Sequence, residues 1–245
     1  MISGGEPTLL PDVVSNVIQA AEKCGYRKYI IQTNGSGLAE NDALISFLRS
    51  LSERSDVCVS FSVHGHNADV HDAMCSTPGA FDKLMTAMRK TTKTNCGIYT
   101  NTVMSALNIS HLKEIARMIM PFNPQVVQFS LMHLSSPSKL STGIVEATMA
   151  VRGLKNVVSP DLLRTEGIPY CLMYRMEKCV GESFWPEKLD LYNKNDEYMP
   201  DVKQLDLGMR WKSAECSECL MNDICMGIWK EHVAEYVKAG IRPIA

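Results

Sequence analysis

Residues 3–8, with the sequence SGGEPT, combine residue types that can hold a small charged ligand. They follow a predicted strand stub that consists of little more than Met1 and Ile2. The glycine pair lets backbone amide and carbonyl groups approach a ligand closely, Glu6 supplies a carboxylate, and Pro7 stiffens the exit of the loop. Such a loop can hold an ammonium group. An ordinary strand-to-helix turn explains the same residues equally well.

Three cysteines near the end of the chain have the spacing Cys-x2-Cys-x5-Cys, namely Cys216, Cys219 and Cys225. Two thiolates separated by two residues converge on one metal centre through a tight turn, and a third from the following helix adds to the shell. We expect Cys171, in a strand-like segment, to be the fourth ligand, with Cys179 as the substitute. On residue type alone, four thiolates suit a structural zinc and a [4Fe-4S] cluster equally well.

Three histidines suggest a different kind of site, a metal ion bound by imidazole groups. His64 and His66 follow a predicted strand, where two imidazoles can bind one metal ion, and His133 follows a later strand. A metal-dependent hydrolase of barrel fold would use such a set. The interpretation that we favour is structural: the polar residues of segment 69–72 cap or line the loop before the helix expected near 79–92.

Helices and strands alternate along the first 132 residues. Apolar residues at helical spacing predict helices, whereas short β-branched or alternating runs predict strands. The predicted helices lie near 12–24, 44–51, 79–92 and 112–119, and the predicted strands at 29–33, 57–63, 97–104 and 126–132. This order predicts a parallel sheet, closed or partly closed into a barrel, that binds its ligands at the carboxyl ends of the strands. Beyond residue 155 the alternation fades into a Pro-, Lys- and Asp-rich stretch (186–203) and a cysteine-rich tail.

Charge and composition limit the classes of partner. Lys and Arg number 25 against 27 Asp and Glu, without a long run of one sign, so we expect no nucleic-acid partner. No apolar stretch approaches the roughly 20 residues that span a bilayer, so we expect no membrane partner either. We expect a cytoplasmic protein, because the N-terminus lacks the pattern of a signal peptide. Nine cysteines are then poor candidates for disulfides, which leaves small buried residues and metal ligands.

The opening loop resembles the motif with which radical S-adenosylmethionine (radical SAM) enzymes bind the amino group of their cofactor. Residues 33–35 (TNG) and 60–65 (SFSVHG) resemble the segments that line the cofactor at the next two strand ends. The resemblance implies a partial TIM-like (β/α)6 barrel of α/β class. It implies S-adenosyl-L-methionine contacts from Gly4, Gly5, Glu6, Pro7, Thr33, Asn34 and Ser62, with Asn101 as a weaker candidate. Singly, each small polar residue could equally be a satisfied structural group.

The C-terminal cysteines resemble those of the SPASM and twitch auxiliary clusters of this family. The resemblance therefore favours an auxiliary [4Fe-4S] cluster at Cys171, Cys216, Cys219 and Cys225. We accordingly expect a radical SAM core over residues 1–155 and an auxiliary-cluster extension over 156–245.

The Cys-x3-Cys-x2-Cys loop that holds the family's catalytic cluster does not occur in this sequence. We therefore expect a chain that lacks the first βα unit of the barrel and is inactive alone, and a degenerate relative is the alternative.

For the complete enzyme, the resemblance implies reductive cleavage of S-adenosylmethionine to a 5'-deoxyadenosyl radical, which abstracts hydrogen from a peptide or small-molecule substrate. An electron donor such as flavodoxin or ferredoxin would be required. Two alternatives stay open: the hydrolase using His64, His66 and His133, and a non-catalytic metal-bearing scaffold. No catalytic residue is assigned.

Overall fold

The computed structural model describes residues 1–133, 138–185, 191–192, 198–199 and 202–244. Its centre is a sheet of five parallel strands in the order β1-β2-β3-β4-β5. The strands are β1 (Lys28–Thr33), β2 (Asp56–Ser62), β3 (Gly97–Met104), β4 (Val126–Leu131) and β5 (Leu163–Glu166). The predicted α/β class with a parallel sheet is confirmed, because every neighbouring pair of these strands is parallel.

Helices connect the strands and cover one side of the sheet. They are α1 (Pro11–Lys23), α2 (Ser36–Glu40), α3 (Asp42–Ser52), α4 (Ala68–Cys75), α5 (Ala80–Thr91), α6 (Leu112–Ile119) and α7 (Ile144–Arg152). The four helices predicted from apolar spacing are α1, α3, α5 and α6, and they are confirmed to within a few residues. In α6, for example, the buried residues Leu112, Ile115 and Ile119 recur at helical spacing on one face.

The two faces of the sheet differ in polarity. In β2, Val57, Val59 and Phe61 are fully buried against the helices, whereas Ser60 and Ser62 are only partly buried. Side chains alternate between faces along a strand, so each strand gives one apolar face to the core. We call the opposite, partly exposed face the inner face. It carries mainly polar side chains, which are Gln32, Ser60, Ser62, Tyr99, Asn101, Gln128, Ser130, Arg164 and Glu166.

Residue Ile2 extends the sheet beyond β1. Its amide donates to the carbonyl of Ile30 at 2.7 Å, and its carbonyl accepts from the amide of Gln32 at 3.0 Å. Ile2 pairs in parallel with Ile31. The first loop therefore leaves the carboxyl end of a strand position next to β1, at the edge of the sheet where the other strand ends lie.

Strand β5 was not predicted. It lies after residue 155, and it pairs with β4 through Val127 and Leu163 at one end and Ser130 and Glu166 at the other. The sheet thus continues into the part of the chain that we assigned to the extension. The prediction of a strand-like segment around Cys171 is wrong, because the chain turns after Gly167, which has a φ of 82°.

The C-terminal part is built from short elements. They are β6 (Leu191–Tyr192), β7 (Tyr198–Met199), α8 (Val202–Gly208), β8 (Arg210–Trp211), β9 (Ile228–Trp229) and α9 (Val233–Lys238). After Gly227 the chain forms β9, a 3-10 turn and α9, and β9 pairs with β8 in an antiparallel hairpin. The stretch 186–203 lies mostly outside the described residues. Among the described helices, none has both the length and the apolar character to cross a membrane.

An ion pair joins this part to the sheet. Arg210 donates to Glu182 at 3.0 Å, and both side chains are 3% exposed or less. Glu182 also accepts from the amide of Gly167, directly after β5, at 2.7 Å. Arg210 lies over the ring of Trp229, 4.9 Å from its centroid, and donates to Asp206 at 2.6 Å. Burial raises the pKa of Glu182, and the charge of Arg210 opposes that rise.

Candidate cofactor site

Glu6 is the centre of a hydrogen-bond network that fixes the first loop. One carboxylate oxygen, Oε1, accepts from the Thr8 amide at 3.0 Å and from the Thr33 hydroxyl at 2.6 Å, and it also accepts from the Thr8 hydroxyl. The other oxygen, Oε2, accepts from the amide of Asn34 at 2.6 Å. Both oxygens therefore bind groups of the chain itself. The carboxylate ties the first loop to the end of β1, and we call this set the Glu6 clamp.

The predicted contact residues Thr33 and Asn34 belong to the Glu6 clamp. The side chain of Thr33 is buried, and its hydroxyl oxygen accepts from the amide of Gly35 at 2.9 Å. The side-chain oxygen of Asn34 accepts from the amide of Ser36 at 2.8 Å, at the start of α2. These polar groups thus shape the loops at the strand ends.

Gly4 and Gly5 immediately precede Glu6 and adopt an unusual backbone conformation. Their φ angles are 96° and 59°, a region that side-chain-bearing residues rarely adopt. A Cβ on either residue would meet no atom within 4 Å, so conformation rather than space requires glycine here. Both glycines are exposed. Their backbone groups are therefore free to meet a ligand.

Gly37 shows how closely α2 packs against the first loop. A Cβ on Gly37 would lie well inside contact distance of the backbone carbonyl of Thr8. Thr8 is itself buried, 1% exposed. The loop is therefore held from two sides, by the Glu6 carboxylate and by the first turn of α2.

Ser62 and Asn101 lie side by side on the inner face. They are register partners in β2 and β3, close to the carboxyl end of the sheet. The side-chain oxygen of Asn101 accepts from the hydroxyl of Ser130 at 2.8 Å. Of the predicted contact residues, Gly4–Pro7, Thr33 and Asn34 thus form one connected group, and Ser62 and Asn101 form a second on the neighbouring strands.

The four cysteines predicted as metal ligands line one cavity in the C-terminal part. The cavity is walled by Cys171, Cys216, Cys219, Cys225, Trp211, Gly227 and Tyr236, among others. Cys179 lies elsewhere, fully buried, with its thiol 3.6 Å from the carbonyl oxygen of Pro160. Of the two candidates for the fourth position, the structure therefore places Cys171 beside the other three thiols.

Hydrogen bonds to sulfur surround this cavity. The amide of Met221 donates to Cys219 and the amide of Gly227 donates to Cys225, each at 3.4 Å. Such bonds stabilise thiolates, including those that hold metals. The hydroxyl of Tyr236 lies 3.2 Å from the sulfur of Cys171. Burial raises the pKa of Cys171, and the Tyr236 hydroxyl lowers it.

Four thiols around one cavity are chemically suitable ligands for a metal centre. Their sulfur atoms, however, do not surround a single ion position. Over the residues that the structure describes, no three His, Cys, Asp or Glu side chains lie close enough to hold one metal ion. In an iron-sulfur cluster each thiolate binds a different iron, so its sulfurs surround a larger volume than the four ligands of one zinc.

A comparison with protein families matches residues 1–119 to the family model described as the Radical SAM superfamily. Residues 1–119 belong to the radical SAM superfamily. The radical SAM domain so identified includes the first loop, the Glu6 clamp, Ser62 and Asn101. The resemblance inferred from the glycine-rich loop is therefore confirmed at the level of the superfamily.

The chain is also similar to a curated protein, the AdoMet-dependent heme synthase of Methanosarcina barkeri. The two are 29% identical over 114 residues, which are 46% of this chain and 31% of the relative. The chain thus spans about a third of that relative's length. Among solved structures, anSMEcpe with bound AdoMet and Cp18Cys peptide has a TM-score of 0.49 at 20% identity, covering 63% of this chain and 45% of its own. A second structure, anSMEcpe with bound AdoMet, has a TM-score of 0.48 at the same identity, with 62% and 43% covered.

His64 and His66, two histidines of the radical SAM domain, contact different neighbours. His64 Nδ1 accepts from the amide of Val103, so this ring joins the end of β2 to β3. Burial lowers the pKa of His64 to about 4, and the charge of His71 adds to the effect. His66 packs against His111, with ring centroids 4.9 Å apart.

The third histidine of the hydrolase hypothesis, His133, lies 2.6 Å from the carboxylate of Glu231. His64, His66 and His133 thus have three different sets of neighbours, and the structure does not support a shared metal. Asp72 caps α5 instead, because its carboxylate accepts from the amides of Gly79 and Phe81. These bonds lower the pKa of Asp72. The capping role expected for segment 69–72 is confirmed for this residue, although the segment itself lies within helix α4.

Sequence reasoning missed a polar group on the last two strands of the sheet. Ser130 lies 2.7 Å from a carboxylate oxygen of Glu166, and Gln128 donates to both at 3.1 Å. The alternation of Gln128, Phe129 and Ser130 in β4 was a usable signal for two of these residues. Glu166 carried no such signal, because β5 has only four residues.

Proposed function

We propose that this chain is the greater part of a radical SAM enzyme that binds S-adenosyl-L-methionine across the carboxyl ends of its strands. One observation carries the proposal: the Glu6 clamp holds Gly4 and Gly5 in positive-φ conformations with their backbone exposed at the strand ends. The membership of residues 1–119 in the superfamily supports it. So does the relative from Methanosarcina barkeri, whose name states that it depends on AdoMet.

Glu6 has an indirect role in this proposal. Oε1 accepts three hydrogen bonds from the chain and Oε2 accepts one, so the carboxylate is largely used within the protein, and we propose that backbone carbonyls of Gly4 and Gly5 bind the cofactor's ammonium. A carbonyl oxygen accepts two hydrogen bonds and an ammonium group donates three, so the pairing is chemically suitable. Glu6 therefore positions the loop, and the two glycines make the contact.

The inner face would hold the rest of the cofactor. Ser62 and Asn101 present a hydroxyl and an amide on neighbouring strands, and both residues are partly exposed. Such groups can bind ribose hydroxyls or the carboxylate of a methionine moiety. When bound and reduced through a catalytic cluster, S-adenosylmethionine supplies a 5'-deoxyadenosyl radical that abstracts hydrogen from the substrate. A peptide or small molecule is the proposed substrate, and flavodoxin or ferredoxin is the proposed electron donor.

We test the cofactor site with a pair of ligands that differ in the amino-acid part. Calorimetric titration should show that the chain binds S-adenosylmethionine more tightly than 5'-methylthioadenosine, which lacks the amine and carboxylate. Replacing Gly4 and Gly5 together with valine should remove this preference, because valine is strongly disfavoured at positive φ. A wild-type chain that binds the two ligands equally would refute the amine-binding role of the loop.

We also propose that Cys171, Cys216, Cys219 and Cys225 hold an auxiliary [4Fe-4S] cluster. Their common cavity and the backbone hydrogen bonds to sulfur support this assignment. A structural zinc in a non-catalytic scaffold is the second candidate, since the same four thiols suit it.

Anaerobic reconstitution with iron and sulfide distinguishes the two metals. An auxiliary cluster predicts about four irons per chain, lost when Cys216 and Cys219 are replaced by serine. Cys96 provides a matched control, because this partly buried thiol lies outside the cavity, 3.6 Å from the carbonyl oxygen of Leu48. One tightly held zinc, lost in the same double variant, would instead support the scaffold.

A further inference from the structure

The last two strands of the sheet carry a polar group that the cofactor proposal does not use. Gln128, Ser130 and Glu166 lie on the inner face of β4 and β5, and Asn101 of β3 adjoins them. Ser130 and Glu166 are register partners, as are Asn101 and Gln128. We call Gln128, Ser130 and Glu166 the β4–β5 cluster. It lies at the carboxyl ends of the strands, where ligands of parallel sheets bind.

The donor groups of Gln128 and Ser130 form hydrogen bonds within the cluster or to Asn101. The Gln128 amide donates one bond to the Ser130 oxygen and one to Glu166 Oε2, each at 3.1 Å. The Ser130 hydroxyl has a single hydrogen, and both Asn101 Oδ1 and Glu166 Oε2 lie within 2.8 Å of its oxygen. Neither Gln128 nor Ser130 therefore has a donor left for a ligand. Glu166 Oε1 has no hydrogen-bond partner among the described residues, and it is an acceptor.

The charge of Glu166 is also unbalanced. Within the described ranges no Lys, Arg or His forms a salt bridge with Glu166. Arg164, two residues earlier on the same strand, donates to the carbonyl of Leu163 at 2.7 Å and lies over the ring of Phe184. Arg210 binds Glu182 instead. A partly buried carboxylate without a cation is unfavourable unless a ligand or water supplies the missing donor.

The electrostatics of Glu182 agree with this account. Burial is the main reason for its raised pKa, and the charge of Glu166 contributes to the rise. The Glu166 carboxylate therefore lies close enough to Glu182 for its negative charge to act on that group.

The position of the cluster favours the substrate over the cofactor. The proposed cofactor contacts occupy the strand position of Ile2 and strands β1 to β3, whereas the cluster lies on β4 and β5. Neighbouring strands are about 4.8 Å apart, so β5 lies five spacings, or roughly 24 Å along the sheet, from the strand position of Ile2. Asn101 lies between the two regions and contacts the cluster through Ser130.

We infer that the β4–β5 cluster binds a protonated amine of the substrate, with Glu166 as its acceptor and Gln128 and Ser130 holding that carboxylate in place. This inference rests on the proposed function, since it places a substrate beside the cofactor. The substrate class that it names is an amine-bearing molecule, such as a peptide with a lysine side chain or a small primary amine.

The test uses Nα-acetyl-lysine-N-methylamide and its norleucine counterpart, which has no amine. Binding of each to the chain is measured by ligand-detected NMR with millimolar S-adenosylmethionine present. The wild-type chain should prefer the lysine probe, and Glu166→Gln should weaken its binding about tenfold, as expected for loss of a charged hydrogen bond. Binding of the norleucine probe should not change.

Two further variants complete the design. Glu166→Asp keeps the charge and should keep a preference for the lysine probe. Glu53→Gln, at an exposed carboxylate after α3, is the matched control and should behave as the wild type. Affinity for S-adenosylmethionine, titrated on the same samples, should stay within about twofold in every variant.

The outcomes separate the two proposals. A wild-type chain that does not prefer the lysine probe, or a Glu166→Gln variant that binds it as well as the wild type, overturns the substrate site. Loss of S-adenosylmethionine affinity in Glu166→Gln also overturns it, because the cluster would then serve the cofactor. A wild-type chain that does not bind S-adenosylmethionine at all refutes the proposed function instead.

Discussion

Replacing Glu6 with glutamine tests whether the Glu6 clamp holds the first loop. Glutamine has the same shape but only one acceptor oxygen, so it can satisfy only one side of the network. With that oxygen towards Thr8 and Thr33, the new amide nitrogen faces the amide of Asn34, and two donors oppose each other. In the reverse orientation the amide nitrogen faces the backbone amide of Thr8, and two donors again oppose each other, so either orientation loses at least one hydrogen bond.

The expected loss follows from the bonds affected. One hydrogen bond to a charged group disappears, which costs about 1.5–3 kcal/mol, and the others become neutral and weaker. We therefore expect the free energy of unfolding to fall by about 2–3 kcal/mol. Denaturant titration should show a lower midpoint with an unchanged m-value. The matched control is Glu40→Gln, which breaks a solvent-exposed ion pair with Lys83 and should therefore change the stability little. A Glu6→Gln variant no less stable than this control would refute the clamp.

Three other perturbations probe the framework around the site. Gly37→Ala should destabilise the chain by about 1–3 kcal/mol, because a Cβ there collides with the carbonyl of Thr8, and thermal unfolding measures the loss. Arg210→Met should cost about 3–5 kcal/mol in denaturant titrations, because it leaves the Glu182 carboxylate buried without its cation. The lowered pKa of His64, about 4 against an ordinary 6.5, favours folding above pH 6.5, and this contribution is lost as the pH falls towards 4. The wild type should therefore lose stability more steeply over that range than His64→Asn, and parallel curves of unfolding free energy against pH would contradict the assignment.

Long, regular elements could be predicted from the sequence because their patterns are local. Helix α6 has apolar residues at a strict helical spacing, and β2 alternates valine and phenylalanine with small polar residues over seven positions. Such patterns reflect one buried face, which the sequence shows directly. Strand β5 has four residues, too few for a period to be recognised, and its place in the sheet depends on pairing with β4.

At the candidate site, the sequence predicted which residues lie near one another, but the hydrogen bonds of each side chain required the structure. The motif around Glu6 predicted a carboxylate available to a ligand, whereas the structure uses both oxygens to hold the loop. That assignment depends on the position of Thr33, 27 residues away in the chain. Similarly, cysteine spacing grouped three thiols, but the choice between Cys171 and Cys179 required the folded cavity.

A crystal structure of the chain soaked with millimolar S-adenosylmethionine tests the central claim most directly. The ammonium group of the ligand should lie within hydrogen-bond distance of a backbone carbonyl of Gly4 or Gly5, with the hydrogen bonds from Thr33 and Asn34 to Glu6 intact. An ammonium group bound directly by the Glu6 carboxylate, or by the β4–β5 cluster at Glu166, would contradict that claim.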